Sequence, residues 1–124
     1  MMQIISIAVG GAVGALCRYG MSTGIYSLLG RGFPYGTLAV NVLGSFIMGA
    51  AYITLIERMD VSPEWRAGIT IGLLGAFTTF STFSIETLNL LESGDTLKAG
   101  LNILLSVSLC ITGCWFGMIL GRQL

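Results

Sequence analysis

Four long apolar runs, separated by short polar stretches, dominate the pattern of hydrophobic and polar positions along the chain. A bilayer core requires about 20 mostly apolar residues for each helix. The runs predict membrane spans at about residues 4–29, 37–56, 65–91 and 97–120. Continuous runs of this kind differ from the short alternating segments of a membrane β-barrel. We therefore predict an all-α membrane protein in which residues 1–124 form a single domain of four transmembrane helices.

The polar stretches carry signals for turns and helix starts. Residues 30–36 are rich in glycine and include a proline, as is typical of a loop. Ser62, Pro63 and Glu64 follow the order of an N-cap, a proline at the first helical position and an acid in the first turn, so they predict the start of the third span. No basic residue precedes the first apolar run, and that run exceeds the length of a signal peptide. We expect it to remain as a membrane span.

One stretch of the third span is unusually polar. Residues 75–84 contain five hydroxyl side chains and three phenylalanines. Glycine and β-branched residues weaken a helix, and hydroxyl groups can bond back to the backbone, so we predict a break near Gly75–Thr79. Carbonyl oxygens released by a break suit a hard cation such as sodium. Phe80 and Phe83 share a helix face, where their positive ring edges could meet an anion or the rings could simply pack together.

Other polar groups inside the spans are candidates for function because they are costly in hydrocarbon. Arg18 either needs a partner or reaches an interface, and its fixed charge would attract anions. Asn41 either bonds across helices or presents its N–H groups to a desolvated anion. Glu86 is the one acid well inside a span, where it would serve proton coupling or a hydrogen bond near the helix end. A mildly polar row in the fourth span could face the third: Asn102, Ser106 and Cys110.

Composition narrows the function classes. Charged residues make up 10% of the chain, against roughly 25% in an average globular protein, and hydrophobic residues make up 54%. The formal net charge is zero, which gives no sign of a nucleic-acid partner. There is no histidine, and no serine–base or paired-acid arrangement is visible, so we do not expect an enzyme.

The three cysteines admit two interpretations. Cys110 and Cys114 are four residues apart and share a helix face, a spacing that would suit a pair of ligands. An odd count without histidine favours buried, inert thiols instead, and this is our prediction for both and for Cys17.

Glycines recur at the spacing that lets membrane helices pack closely. The pairs are Gly10 with Gly14, Gly20 with Gly24, and Gly68 with Gly72, followed by the run Gly113, Gly117 and Gly121. The run of three predicts a tight contact along the fourth span.

The loop charges are almost balanced across the membrane. Three arginines are predicted on the side of the N-terminus, namely Arg58, Arg66 and Arg122, against Arg31 and Lys98 on the other. This bias is weak under the positive-inside rule. It permits insertion in both orientations, with two opposed copies paired about an in-plane two-fold axis, and it equally permits one ordinary topology.

Three motifs together resemble a known family. They are Gly-Ala-Leu-Cys-Arg-Tyr at 14–19, Asn-Val-Leu-Gly-Ser-Phe at 41–46 and Gly-Ala-Phe-Thr-Thr-Phe-Ser-Thr-Phe-Ser at 75–84. In these motifs and in its four spans the chain is similar to the Fluc (CrcB) fluoride channels of bacteria. The resemblance implies a dual-topology antiparallel homodimer in the cytoplasmic (inner) membrane, which passively exports fluoride and so lowers its cytoplasmic concentration.

The resemblance also implies roles for single residues. Asn41 matches the pore asparagine, and Phe80 and Phe83 match the paired phenylalanines of the fluoride path. The polar segment beside them comprises Ser81, Thr82 and Ser84, of which the first two are favoured as pore lining.

The remaining implied roles concern a cation and a vestibule. Gly75 and Thr78 match the break whose backbone carbonyls, from both subunits, hold a structural sodium ion at the dimer interface. Arg18 matches an arginine near the vestibule. Asn102 stands where relatives carry tyrosine, a departure that affects the expected contribution of the fourth span.

Two other classes fit parts of the pattern. A small proton-coupled dual-topology multidrug exporter is also a four-helix membrane protein, but that class depends on an acid in the first span, which this chain lacks. A non-transporting assembly subunit would account for the glycines and not for residues 75–84.

Overall fold

The chain is all-helical, and the computed structural model describes residues 1–124. Its helices are α1 (Met2–Leu29), α2 (Tyr35–Arg58), α3 (residues 63–77), α4 (Phe80–Glu92) and α5 (Thr96–Gln123). By length and hydropathy α1, α2 and α5 could each cross a membrane, as could α3 and α4 together over Pro63–Glu92. This confirms the predicted all-α architecture with four spans, and each span end lies within three residues of its predicted position.

The third span is broken, and the break lies at Thr78 and Thr79. Both residues are extended, with φ/ψ of −89°/159° and −152°/122°. Gly75 remains helical at −62°/−38°, so the interruption falls at the C-terminal end of the predicted interval. The helix restarts because Thr79 acts as N-cap: its hydroxyl accepts a hydrogen bond from the Thr82 N–H at 3.2 Å.

Glycines hold the helices in two closely packed pairs. Along α5, a methyl group on Gly117 would collide with the carbonyl oxygen of Phe46 in α2, and one on Gly121 would lie 3.0 Å from the Ala50 carbonyl. This confirms the tight contact predicted for the last span. Gly10 and Gly14 likewise bring α1 against α3.

One of the glycine pairs makes no contact within the chain. Gly20 and Gly24 have no atoms within 4 Å of the position of an added methyl group. Their spacing therefore serves no packing between these helices.

Two segments are wound as π-helix, which the sequence pattern did not predict. They are the end of α2, Tyr52–Arg58, and the middle of α3, Gly68–Leu74. In the second segment, the wider turn carries the Gly72 face that packs on α1 near Ile7.

The basic residues lie at the two ends of the bundle, as the positions of the predicted loops indicated. Arg58 donates hydrogen bonds to the carbonyls of Gly121 and Arg122, so a cation caps the C-terminus of α5. At the opposite end, Lys98 donates to the carbonyl of Gly32 at 3.1 Å. The predicted N-cap at Ser62 is confirmed, since its hydroxyl accepts from the Trp65 N–H.

Candidate functional site

Asn41 closes the break in the third span. Its Nδ2 donates to the Thr79 carbonyl at 2.9 Å, and its Oδ1 accepts from the Thr79 N–H at 2.8 Å. The side chain of α2 thus replaces the helical partners that Thr79 lost, as an apolar environment requires. One N–H of the Asn41 amide remains uncommitted, because the amide carries two.

The same arrangement releases two backbone carbonyls. The Thr79 N–H bonds to Asn41 and not to the carbonyl of Gly75, four residues earlier. Likewise the Thr82 N–H bonds to the Thr79 hydroxyl and not to the carbonyl of Thr78. Both carbonyl oxygens therefore lack the partner that an intact helix would give them, and Gly75 is exposed on the surface of the chain.

A cleft of about 390 Å³ opens beside the break, between α2, α4 and α5. It brings together Asn41, Phe80 and Phe83 with Ser106 and Cys110 of the polar row in α5. The two phenyl rings lie 5.2 Å apart between centroids and are tilted by 44°, which confirms that they share a face. Phe83 is buried, with 9% of its surface exposed, whereas Phe80 is 78% exposed.

A second, smaller cleft of about 250 Å³ lies on the other side of the break. Its walls include Arg18, Thr37, Thr79 and Thr82. Arg18 is half-buried, and its Nε has no hydrogen-bond partner within the chain. Thr79 lines both clefts, so the Asn41–Thr79 pair stands between them.

The three hydroxyl groups predicted beside the phenylalanines differ in what they can donate. The Ser84 hydroxyl donates to the Phe80 carbonyl at 2.9 Å, so its proton is committed. The Thr82 hydroxyl accepts from Thr79 at 3.1 Å and keeps its own proton free. Ser81 is exposed, and its hydroxyl lies 3.4 Å from that of Thr79; because the Thr79 proton goes to Thr82, Ser81 donates in this pair.

A buried hydrogen-bonded chain joins α4 to α5, as the polar row suggested. Asn102, with 1% of its surface exposed, donates to the Thr87 hydroxyl at 2.8 Å, and Thr87 donates to the Phe83 carbonyl at 2.7 Å. Ser106 in turn donates to Asn102 at 3.4 Å. The sequence pattern gave Thr87 no defined role, although it lies four residues after Phe83 on the same face.

Glu86 accepts a hydrogen bond near the end of the third span, which confirms one of the two interpretations given to it, although the sequence did not identify its partners. The Tyr26 hydroxyl donates to the Glu86 Oε2 at 2.7 Å and lies 3.3 Å from the Thr37 hydroxyl. The other carboxylate oxygen, Oε1, is buried without a partner. The guanidinium of Arg31 lies 4.4 Å from the centre of the Tyr26 ring. A tyrosine inside an apolar span was the signal that could have identified this group.

The cysteines are not buried as predicted. Cys17 is exposed, and Cys110 and Cys114 are half-buried. The prediction failed because burial statistics derive from soluble cores, whereas a membrane helix turns apolar side chains outward.

Clefts within membrane spans that present a few fixed hydrogen-bonding groups among apolar side chains are typical of proteins that move small solutes. Residues 5–118 match the family described as CrcB-like protein, Camphor Resistance (CrcB). The chain belongs to this family.

Relatives from bacteria carry a consistent name. The "Fluoride-specific ion channel FluC" of Geobacter sulfurreducens is 52% identical over 124 residues, covering all of both chains. The protein of that name from Coxiella burnetii is 49% identical over 99% of this chain and 100% of its own. That from Methylococcus capsulatus is 53% identical over 99% of this chain, which spans 54% of its length. None of these three relatives is named as an enzyme or as a drug exporter.

Proposed function

We propose that the chain is the subunit of a fluoride-selective channel, a multi-pass protein of the bacterial inner membrane that lets fluoride leave the cytoplasm passively. Its family and the name shared by its relatives support the substrate. The observation that carries the proposal is the amide of Asn41, fixed at the wall of the cleft that also contains Phe80 and Phe83.

The bonds to Thr79 give the Asn41 amide a preference for anions. A free carboxamide offers a donor and an acceptor and would serve either sign of charge. Here the Thr79 N–H bonds to the oxygen, while the second N–H of the amide stays available. The cleft therefore presents the positive end of a fixed dipole, already oriented before an ion arrives.

The phenylalanines can supply anion contacts without full charge. Ring edges carry the positive part of the aromatic quadrupole, and Phe80 and Phe83 both line the cleft, with their ring centroids 5.2 Å apart. An ion held by weak contacts can leave again, whereas a lysine or arginine at this depth would bind it too firmly for fast flow. Arg18, in the second cleft, is set to attract anions toward the path.

The released carbonyls of Gly75 and Thr78 fit a structural sodium ion. Backbone oxygens are hard ligands, and both have lost their helical partners. Bound there, sodium would supply a fixed positive charge that satisfies these oxygens. Two carbonyls are too few for one ion, so the proposed site draws the same pair from a second copy at the dimer interface.

The proposed assembly is an antiparallel homodimer. In a single chain Phe80 is 78% exposed and the Gly75 surface is open. An opposed copy would cover both, and the nearly balanced loop charges allow such a copy to insert.

Fluoride release from liposomes tests the function. Vesicles containing the purified protein, loaded with potassium fluoride, should release fluoride when a potassium ionophore dissipates the voltage, as followed with a fluoride electrode. Vesicles loaded with chloride should retain it. Equal release of both anions, or release that requires a proton gradient, would contradict the proposal.

A further inference from the structure

Three sulfur atoms border the cleft beside the break, apart from the groups assigned to the fluoride path. They belong to Met48 of α2 and to Cys110 and Cys114 of α5, and all three side chains line the same cleft. Neither cysteine is in a disulfide.

The packing of α2 on α5 sets these side chains opposite one another. Ser45 lies beside Cys110, and Gly49 lies so close to the Cys114 carbonyl that an added methyl would collide with it. Met48 follows Ser45 by three residues, on the same face of α2, and lines the same cleft as both cysteines. Residues four apart on a helix have Cβ atoms roughly 5–6 Å apart, a separation that one ion can bridge through two sulfur atoms.

Thiolate and thioether groups select soft metal ions, above all copper(I), and disfavour magnesium or calcium. We propose that Met48, Cys110 and Cys114 form a binding site for a soft monovalent cation of the copper(I) and silver(I) class. On binding, one thiol loses its proton to water and forms a sulfur–metal bond. The resulting thiolate–metal unit is neutral, with the second thiol and the thioether as uncharged donors, so it carries no net charge into a region of low dielectric.

The site has a functional consequence that rests on the proposed function. A metal ion held between α2 and α5 occupies the cleft that Asn41 and Phe80 also line. Soft cations would then block fluoride flow, while sodium and magnesium would not.

Silver binding can be measured without any ion flux. The exposed thiol of Cys17 would bind silver by itself, so Cys17→Ser serves as the reference background. Calorimetric titration of that protein in detergent with silver nitrate, in chloride-free buffer, should give one silver ion per chain. Further change of both Cys110 and Cys114 to Ser should abolish binding.

The thioether has a matched control. In the same background Met48→Leu removes one of the three proposed ligands, so it should weaken silver binding by at least the roughly tenfold that the loss of an outer-shell partner costs. Met118→Leu makes the same change one turn beyond Cys114, outside the cleft, and should leave the affinity unchanged. Methionine-to-leucine exchange conserves volume, so both variants should fold. The proposed site would be overturned if the triple cysteine variant, in which Cys17, Cys110 and Cys114 are all Ser, still bound silver with unaltered affinity. Equal affinities in the two leucine variants would overturn it as well.

The block is tested separately in liposomes prepared with nitrate salts. Silver at saturation should stop fluoride release by the Cys17→Ser protein, and the triple cysteine variant should keep its own silver-free rate. Fluoride release that continues at saturating silver would refute the block. Stoichiometric silver binding in a protein with no fluoride flux would leave the metal site standing and contradict the proposed function.

Discussion

Replacing Asn41 with alanine tests whether this side chain stabilises the break. The change removes two hydrogen bonds, of 2.9 and 2.8 Å, and leaves the Thr79 N–H and carbonyl without partners in a part-buried position. A hydrogen bond contributes about 1 kcal/mol net, and bonds between membrane helices average about 0.6 kcal/mol. The expected loss in the free energy of unfolding is therefore about 1–3 kcal/mol.

The same substitution should reduce fluoride flux. A hydrogen bond to a charged group is worth about 1.5–3 kcal/mol, and each 1.4 kcal/mol corresponds to about a tenfold change in rate. Asn41→Ala should accordingly lower the flux by roughly tenfold to a hundredfold in the liposome assay.

The control is Asn89→Ala, which deletes an exposed amide of α4 that forms no hydrogen bond within the chain. Unfolding of both variants is followed in detergent by circular dichroism against denaturant. If Asn41→Ala unfolds at the same denaturant concentration as Asn89→Ala, the bonds to Thr79 do not stabilise the break. If the fluoride flux of Asn41→Ala also equals that of the unmodified protein, Asn41 does not contribute to the fluoride path.

Two further predictions concern helix packing and the hydroxyl groups. Gly117→Ala should lower the free energy of unfolding by about 1–3 kcal/mol, because the added methyl collides with the carbonyl of Phe46. Gly20→Ala is the control and should cause no such loss, since that position faces open space. Thermal unfolding in detergent compares the two variants, and equal losses would refute the packing argument. Thr82→Val should reduce fluoride flux more than Ser84→Ala does, because only the Thr82 proton is free to meet an anion. The reverse order in the liposome assay would contradict that assignment.

The spans and the break could be predicted because their signals are local. A run of about twenty apolar residues identifies a membrane span whatever the other helices do. In the same way, the threonines after Gly75 weaken the helix at their own positions. The break is shorter than the predicted interval Gly75–Thr79, since Gly75 is helical and only Thr78 and Thr79 leave the helical conformation.

The partners across helices could not be predicted in the same way. Asn41 and Thr79 are 38 residues apart, and their contact depends on the rotation of α2 against the third span. In soluble proteins an apolar stripe fixes that rotation, but a membrane helix is apolar all round and gives no such stripe. For this reason the pattern identified Gly117 correctly as a contact, but it also included Gly20 and Gly24 among the pairs at packing spacing and placed Cys17 in the interior.

The geometry of one chain also gives a reason why the proposed channel would require a second copy of the chain. Asn41 and Phe83 are fixed by contacts within the chain, and Phe83 is only 9% exposed. Phe80, its ring partner, is 78% exposed and has its outer face free. A path that selects a small anion by fixed ring edges must hold both rings, because a mobile ring loses the orientation on which the contact depends. Since the four spans supply no cover for Phe80, the second copy of the proposed homodimer would hold this ring and so provide the orientation that selectivity requires.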